Sequence, residues 1–140
     1  MAATNTQFSI AVHLMIVLGF DCGQQATSSQ IATSINTSPS FVRRILAKLS
    51  KAGLVSTTTG KSGSCVLAKT PDQISLLEIY NAVDAPPTFA IHDYPVQGAC
   101  RISCSIAATM NKVLTKAQKS FEGSLQETTL AEVIADMKCH

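Results

Sequence analysis

Apolar residues recur along this chain at helical spacing in several separate stretches, and the most informative runs from residue 38 to residue 68. Phe41, Val42, Ile45, Leu46 and Leu49 form one apolar stripe, while Ser40, Arg43, Arg44, Lys48 and Lys51 occupy the opposite face. Ser38 is a favourable N-cap, and Pro39 suits the first helical position, where a missing N–H costs nothing. Gly53 stops the helix, because glycine enters the left-handed conformation cheaply. A short strand, the turn Gly60-Lys61-Ser62-Gly63 and a second strand from Cys65 to Ala68 follow. A basic helix followed at once by a hairpin with a basic tip predicts a winged helix. Its helix would fill a DNA major groove and its hairpin would lie over the adjacent backbone.

The other apolar patterns surround this unit. Thr4 to Phe20 predicts a first helix that is apolar nearly all round and so must be covered on more than one side, in a central or intersubunit position. His13 on it is expected to be an interior, hydrogen-bonded histidine. Thr27 or Ser28 caps a short second helix through Ile35, with Ile31 and Ala32 facing inward. With the helix at Ser38 it makes a helix-turn-helix. Ser75 opens a further short helix carrying Leu76, Leu77, Ile79, Tyr80 and Val83. Residues 85 to 99, with Pro86, Pro87, Pro95 and Gly98, predict a long loop. Ile102, Ile106, Met110, Val113, Leu114, Ala117, Phe121 and Leu125 then mark a helix of some six turns with one buried face. A small winged domain does not need so long a helix for itself, so dimerisation is its economical explanation. Thr129-Leu-Ala-Glu132 reads as a capping box for a last short helix.

Composition sharpens this picture once it is resolved along the chain. The net charge is only +2 over 140 residues, yet no Asp or Glu occurs from Cys22 through Pro71. Arg43, Arg44, Lys48, Lys51, Lys61 and Lys69 all fall there, and the rest of the chain holds five basic residues against nine acidic ones. Such asymmetry is that of a polyanion-binding face on an acidic body. The apolar run Phe8 to Phe20 is too short to span a bilayer, and no Lys or Arg precedes it as in a signal peptide. A cytoplasmic protein without a membrane partner is expected, with its five cysteines reduced at rest.

The ordered segments FSIAVHLMIVL, ATSSQIATSINTSPSFVRRILAKLSKAGLVSTTTGKSGSCVLAK, ISLLEIYNAVD and TTLAEV resemble the Rrf2 family of bacterial transcriptional regulators, from about Phe8 to Val133. The family's wing usually carries a Gly-Gly pair before an aromatic residue, and here it reads Gly63-Ser64-Cys65, a departure. The resemblance implies a mainly α fold: a winged helix-turn-helix with a two-stranded wing and a long C-terminal dimerisation helix. It implies a homodimer on double-stranded DNA, regulating transcription, as a repressor in our reading, at a palindromic operator. The organisation expected is a DNA-binding domain over residues 1–84, whose first helix also enters the dimer interface. A loop or sensor segment follows at 85–101, and the dimerisation and terminal helices at 102–140.

Within that frame Arg43 and Arg44 have the planar multi-donor heads suited to guanine edges or phosphate. Thr27, Ser28 and Gln30 at one helix start, and Ser38, Ser40 and Phe41 at the next, can hold or shape a phosphate contact. Lys61 and Ser62 at the wing tip would touch backbone or minor groove, and Lys48 would act at longer range. Iron–sulfur members of the family carry three cysteines between the helix at Ser75 and the long helix. Only Cys100 and Cys104 stand there in this chain, with His92 nearby. A thiol-based redox switch at Cys100 and Cys104 is the expected sensor, since Cys100 falls at a helix start beside Arg101, where a thiolate is favoured. An iron–sulfur or other metal site using His92, Cys100 and Cys104 is the alternative, and it would need a further ligand from elsewhere. Cys22 and Cys65 are expected to be packing residues. No catalytic order of Ser, His and Asp, Gly-rich phosphate loop or paired carboxylates is present, so an enzyme or a small-molecule substrate is not expected. A Cys100/His92 thiol enzyme and a winged-helix module that binds protein are the readings from other classes.

Overall fold

The computed structural model describes residues 6–20, 25–58 and 63–139. Chain order is α1 (Gln7–Gly19), β1 (Ala26–Thr27), α2 (Ser28–Ile35), α3 (Pro39–Lys51), β2 (Val55–Thr57) and β3 (Ser64–Leu67). A 3₁₀ turn at Pro71–Gln73, α4 (Leu76–Ala82), α5 (Arg101–Glu127) and α6 (Leu130–Lys138) follow.

Local chemistry accounts for the helix boundaries around the turn between α2 and α3. Thr27 and Gln30 form a complete capping box: the Gln30 amide donates to Thr27 Oγ1 at 3.2 Å, and the Thr27 amide donates to Gln30 Oε1 at 2.9 Å. Asn36 ends α2 in the left-handed conformation (φ 66°), its amide bonded to the Ala32 carbonyl at 2.8 Å. Two residues later Ser38 Oγ accepts from the Phe41 amide and opens α3. Gly53, at φ 79°, turns the chain out of α3, and the Leu54 amide then reaches back to the Leu49 carbonyl at 3.0 Å.

The strands form one antiparallel sheet in the order β1-β3-β2, with Ala26 opposite Cys65 and Thr57 on the other side of it. The two-stranded wing expected from sequence is the β2–β3 pair, and β1 adds a third strand to its sheet. Two residues are too few to show an alternating pattern, and only their pairing with β3 makes them a strand.

Beneath the sheet and α3, one core gathers Leu14, Met15 and Leu18 of α1 with Ile31, Val42, Ile45, Leu49, Leu54 and Ile79. α6 closes it. Leu130 is fully buried and Ile134 nearly so, and the strand-like bridge between Ser75 and Thr129 holds the helix there. The Leu76 amide donates to the Thr128 carbonyl at 2.9 Å, and the Leu130 amide to the Ile74 carbonyl at 2.8 Å. Gly19 lets α1 and α6 approach: a Cβ there would lie 2.9 Å from Ile134 Cδ1 and 3.0 Å from Leu67 Cδ1.

One expectation is corrected. His13 is exposed rather than interior, with Nε2 3.2 Å from Ser34 Oγ. It lies on the outer face of α1, whose buried residues are Ala11, Leu14, Met15, Leu18 and Gly19. On that outer side Phe8, Val12, Ile16, Val17 and Phe20 line an apolar groove with Met137. No residue of α5 is buried within the single protomer, the situation expected if its stripe is reserved for a second copy. The helix is attached mainly through Tyr80. That ring packs edge-on against Phe8 and Phe121, with centroids 5.6 and 5.5 Å away. Tyr80 Oη donates to the Pro86 carbonyl at 2.8 Å and accepts from Gln118 Nε2 at 3.0 Å. Gln118 Oε1 in turn accepts from the Thr88 amide and hydroxyl. One tyrosine thus joins α1, α4, α5 and the start of the loop.

Candidate nucleic-acid interface

The exposed side of α3 is basic because its apolar stripe is used up in the core. Val42, Ile45, Leu46 and Leu49 are buried, and this leaves Ser40, Arg43, Arg44 and Lys51 outside. Arg43 lines an open cleft between α3, the start of α2 and the wing, together with Ser28, Ser29, Lys51, Thr57 and Thr58. Arg44 lies over the half-buried Phe41, its guanidinium carbon 5.2 Å from the ring centroid. Phe41 is therefore a shelf for Arg44 as well as a core residue. Ser38 and Ser40 hydroxyls stand 3.3 Å apart at the exposed helix start.

Among the described residues no carboxylate pairs with these charges, and the one ion pair is Lys69 to Glu78 at 3.0 Å. Lys48 differs from its neighbours: it is half-buried, and its ammonium donates to Gln7 Oε1 of α1 at 3.1 Å. Lys61 and Ser62, expected at the wing tip, lie outside the described residues, as does Cys22. The base of the wing is closed by hydroxyls that the sequence reading passed over. Thr58 Oγ1 accepts from the Ser64 amide at 3.0 Å, and Ser64 Oγ donates to Gln25 Oε1 at 3.2 Å. The run of threonines before Gly60 was the available signal.

Cys65 sits in β3 beneath the cleft, buried, and burial pushes its thiol pKa up, as befits a packing residue. At the other end of the molecule Cys100 is the N-cap of α5, where its Sγ accepts from the Ser103 amide at 3.4 Å. Cys104 is exposed, its Sγ 3.7 Å from the Gly98 carbonyl oxygen. His92 stacks at a tilt on Tyr94. Among the described residues no three of His, Cys, Asp or Glu converge on a point that could take a metal. A cluster needs about four ligands, and the described residues of one protomer do not bring that many together. No described helix is long and apolar enough to cross a membrane.

The Rrf2 family model, described as an iron-dependent transcriptional regulator, matches residues 4–136. YwnA of Bacillus subtilis strain 168, which bears the name of an HTH-type transcriptional regulator, is 31% identical over 131 residues, covering 93% of this chain and 96% of that protein. A solved structure described as a transcriptional regulator from Lactobacillus plantarum matches with a TM-score of 0.82 at 27% identity, over 96% of this chain and 91% of that one. CymR, the global cysteine regulator of B. subtilis, shares the fold with a TM-score of 0.68 at 21% identity, over 96% and 98%.

Proposed function

The chain belongs to the Rrf2 family and is a transcriptional regulator, and on that premise we propose that it works as a homodimer on a two-fold symmetric operator. The observation that carries this reading is the exposed basic face of α3, where Arg43, Arg44 and Lys51 stand with no carboxylate partner among the described residues and Arg43 and Lys51 line the wing cleft. α3 enters the major groove. Arg43 and Arg44 divide base-edge and phosphate contacts between them, and the amides at the starts of α2 and α3, with Thr27, Ser28, Ser38 and Ser40, hold phosphates. The wing, with Lys61 and Ser62, follows the flanking backbone. The protein acts as a repressor by occupying its operator in the cytoplasm. Residues 1–84 bind DNA, 85–101 form the loop or sensor segment, and α5 joins the two copies.

Cys100 and Cys104 tune this activity as a thiol pair. Both lie at the start of α5, one exposed and one half-buried, next to the loop. Selection from random duplexes tests the main reading. An enriched inverted repeat, bound more weakly by Arg43→Ala and Arg44→Ala variants of native helicity, supports it. Enrichment of a sequence without two-fold symmetry, or wild-type affinity in both variants, refutes it.

A further inference from the structure

Resting on the operator reading for its regulatory half, we propose that the cavity between residues 87–91 and α5 binds a small zwitterion with an apolar body, of the α-amino-acid type, and that its occupancy sets operator affinity. The cavity has a volume of about 490 Å³, within the roughly 300–1,000 Å³ of small-molecule sites. Its walls divide by chemistry. Phe89 and Ile91 of the loop, with Leu114, Ala117 and Phe121 of α5, make an apolar side. Asn111, Thr115 and Lys119, which recur at spacing four and so form one row on α5, make a polar side with Glu122.

An occupant must answer both sides. The apolar one is poorly covered: Phe89 is 68% exposed and Phe121 36%, so an aliphatic or aromatic body would take that surface out of water. The polar side carries one cation and one carboxylate. Neither Lys119 nor Glu122 has an ion-pair or hydrogen-bond partner among the described residues. Glu122 is half-buried. A part-buried carboxylate without a partner is costly, and a ligand ammonium group relieves that cost. The ligand carboxylate falls to Lys119, with the Thr115 hydroxyl and the Asn111 amide further back along the row as donors. Lys112 and Lys116 border the adjoining groove, which the same row lines, and add positive charge on that side. An anion lacking the ammonium would meet Glu122 unpaired, and a cation lacking the carboxylate would meet the lysines. Opposite charges at neighbouring positions thus select a zwitterion over either ion alone.

The cavity is also placed to report its occupancy. Gln118 lines it, and Gln118 is the residue that joins α5 to Tyr80 Oη and to the Thr88 amide and hydroxyl. Thr88 lies in the cavity wall as well. A ligand held between the loop and α5 therefore keeps Thr88 against Gln118, and with it the seat of α5 on Tyr80. Tyr80 belongs to α4, which packs on the DNA-reading helix α3. Binding in the cavity is thereby coupled to the set of α3. Ile102 and Val113, on the most exposed side of α5, take no part in the cavity, so it leaves that side to a second copy.

Isothermal titration calorimetry on the full chain tests the site. The probes are L-phenylalanine, L-leucine and L-methionine, with hydrocinnamate and phenethylamine, which each keep the ring and a single charge. At least one of the three amino acids should bind once per protomer, and each single-charge analogue at least tenfold more weakly than the best of them, about one decade of affinity per lost ion pair. Lys119→Gln and Glu122→Gln should each weaken that binding about tenfold while helicity by circular dichroism stays native. In anisotropy titrations on the selected operator, the bound amino acid should change wild-type affinity about fivefold or more. That response should shrink in Tyr80→Phe, which cuts the link to Gln118 without touching the cavity. No binding by any of the three at millimolar concentration, equal binding of either analogue, or wild-type binding by both variants overturns the site. Binding that leaves operator affinity unmoved overturns its regulatory role. Failure to bind any duplex counts against the operator reading instead, and calorimetry without DNA still decides the site.

Discussion

The salt dependence of operator binding gives the most direct measure of how α3 meets DNA. Three described cations face outward on α3, Arg43, Arg44 and Lys51, so the proposed dimer would bring about six to the phosphates. Each phosphate neutralised contributes a slope of about −0.9 in log K against log salt. The expected slope is therefore about −5, and affinity should fall roughly 10³-fold between 50 and 200 mM salt. Changing Arg43 to Ala removes the residue from both half-sites. If Arg43 holds phosphate, the slope becomes shallower by about 2 and affinity falls about 10- to 100-fold on every sequence. If it reads a base edge, affinity falls by a similar factor, the slope changes less, and preference relaxes at one position in each half-site. Lys48→Ala should shift the slope by less than about 0.5, because Lys48 is half-buried and bonded to Gln7. Fluorescence anisotropy titrations at five salt concentrations, on the selected operator and a scrambled duplex, supply all the slopes. A wild-type slope shallower than about −2, or a Lys48→Ala effect equal to that of Arg43→Ala, would refute the assignment of the α3 face.

Further perturbations test the remaining structure. Tyr80→Phe keeps both ring contacts but deletes the hydroxyl shared by Pro86 and Gln118. It should cost about 1–2 kcal/mol in urea unfolding at fixed protein concentration, against about 3–5 for Tyr80→Ala; equal losses would contradict the network. Cys65 should react with iodoacetamide far more slowly than Cys104 or Cys139, which are exposed. Because burial raises the folded-state thiol pKa above the ordinary 9.0, its contribution to stability is intact below pH 9 and is lost as pH rises past that value. Cys65→Ala should therefore remove part of the wild-type's alkaline decline, a comparison made by thermal melts from pH 8 to 10.5. Mild oxidant should change operator affinity in the wild type and leave a Cys100→Ser, Cys104→Ser variant unmoved. An unchanged response in that variant would locate the switch elsewhere.

The helices of the DNA-reading unit were legible because their signals are local. Ser38, Pro39 and Gly53 act within one turn of themselves, and the α3 stripe needs no knowledge of the rest of the fold. The α2 cap was foreseen at Thr27 or Ser28 and falls on Thr27, while its reciprocal partner Gln30 was visible three residues on and was read only as a DNA contact. β1 was hidden because a two-residue strand exists only through its partner. His13 was misplaced because α1 is apolar on every side, so composition could not say which side the core would take. The Tyr80–Gln118–Thr88 network joins residues 30 and more positions apart and leaves no periodic trace. The α5 stripe was visible, but what covers it depends on a surface the protomer does not supply.

The closing of the core by α6 has a bearing on how the chain is made. Leu130 and Ile134 seal α1, and the bridge from Ser75 to Thr129 holds them in place. The core around α1 therefore stays open until α6, far along the chain, has been made and docked. These contacts span most of the sequence, and they reward the chain only after that loop has closed. A nascent or prematurely terminated chain that ends before α6 would present Leu18 and its neighbours to chaperones and proteases. Cellular supply of this regulator should thus depend on faithful synthesis through α6, with products that stop short of it cleared before they reach DNA.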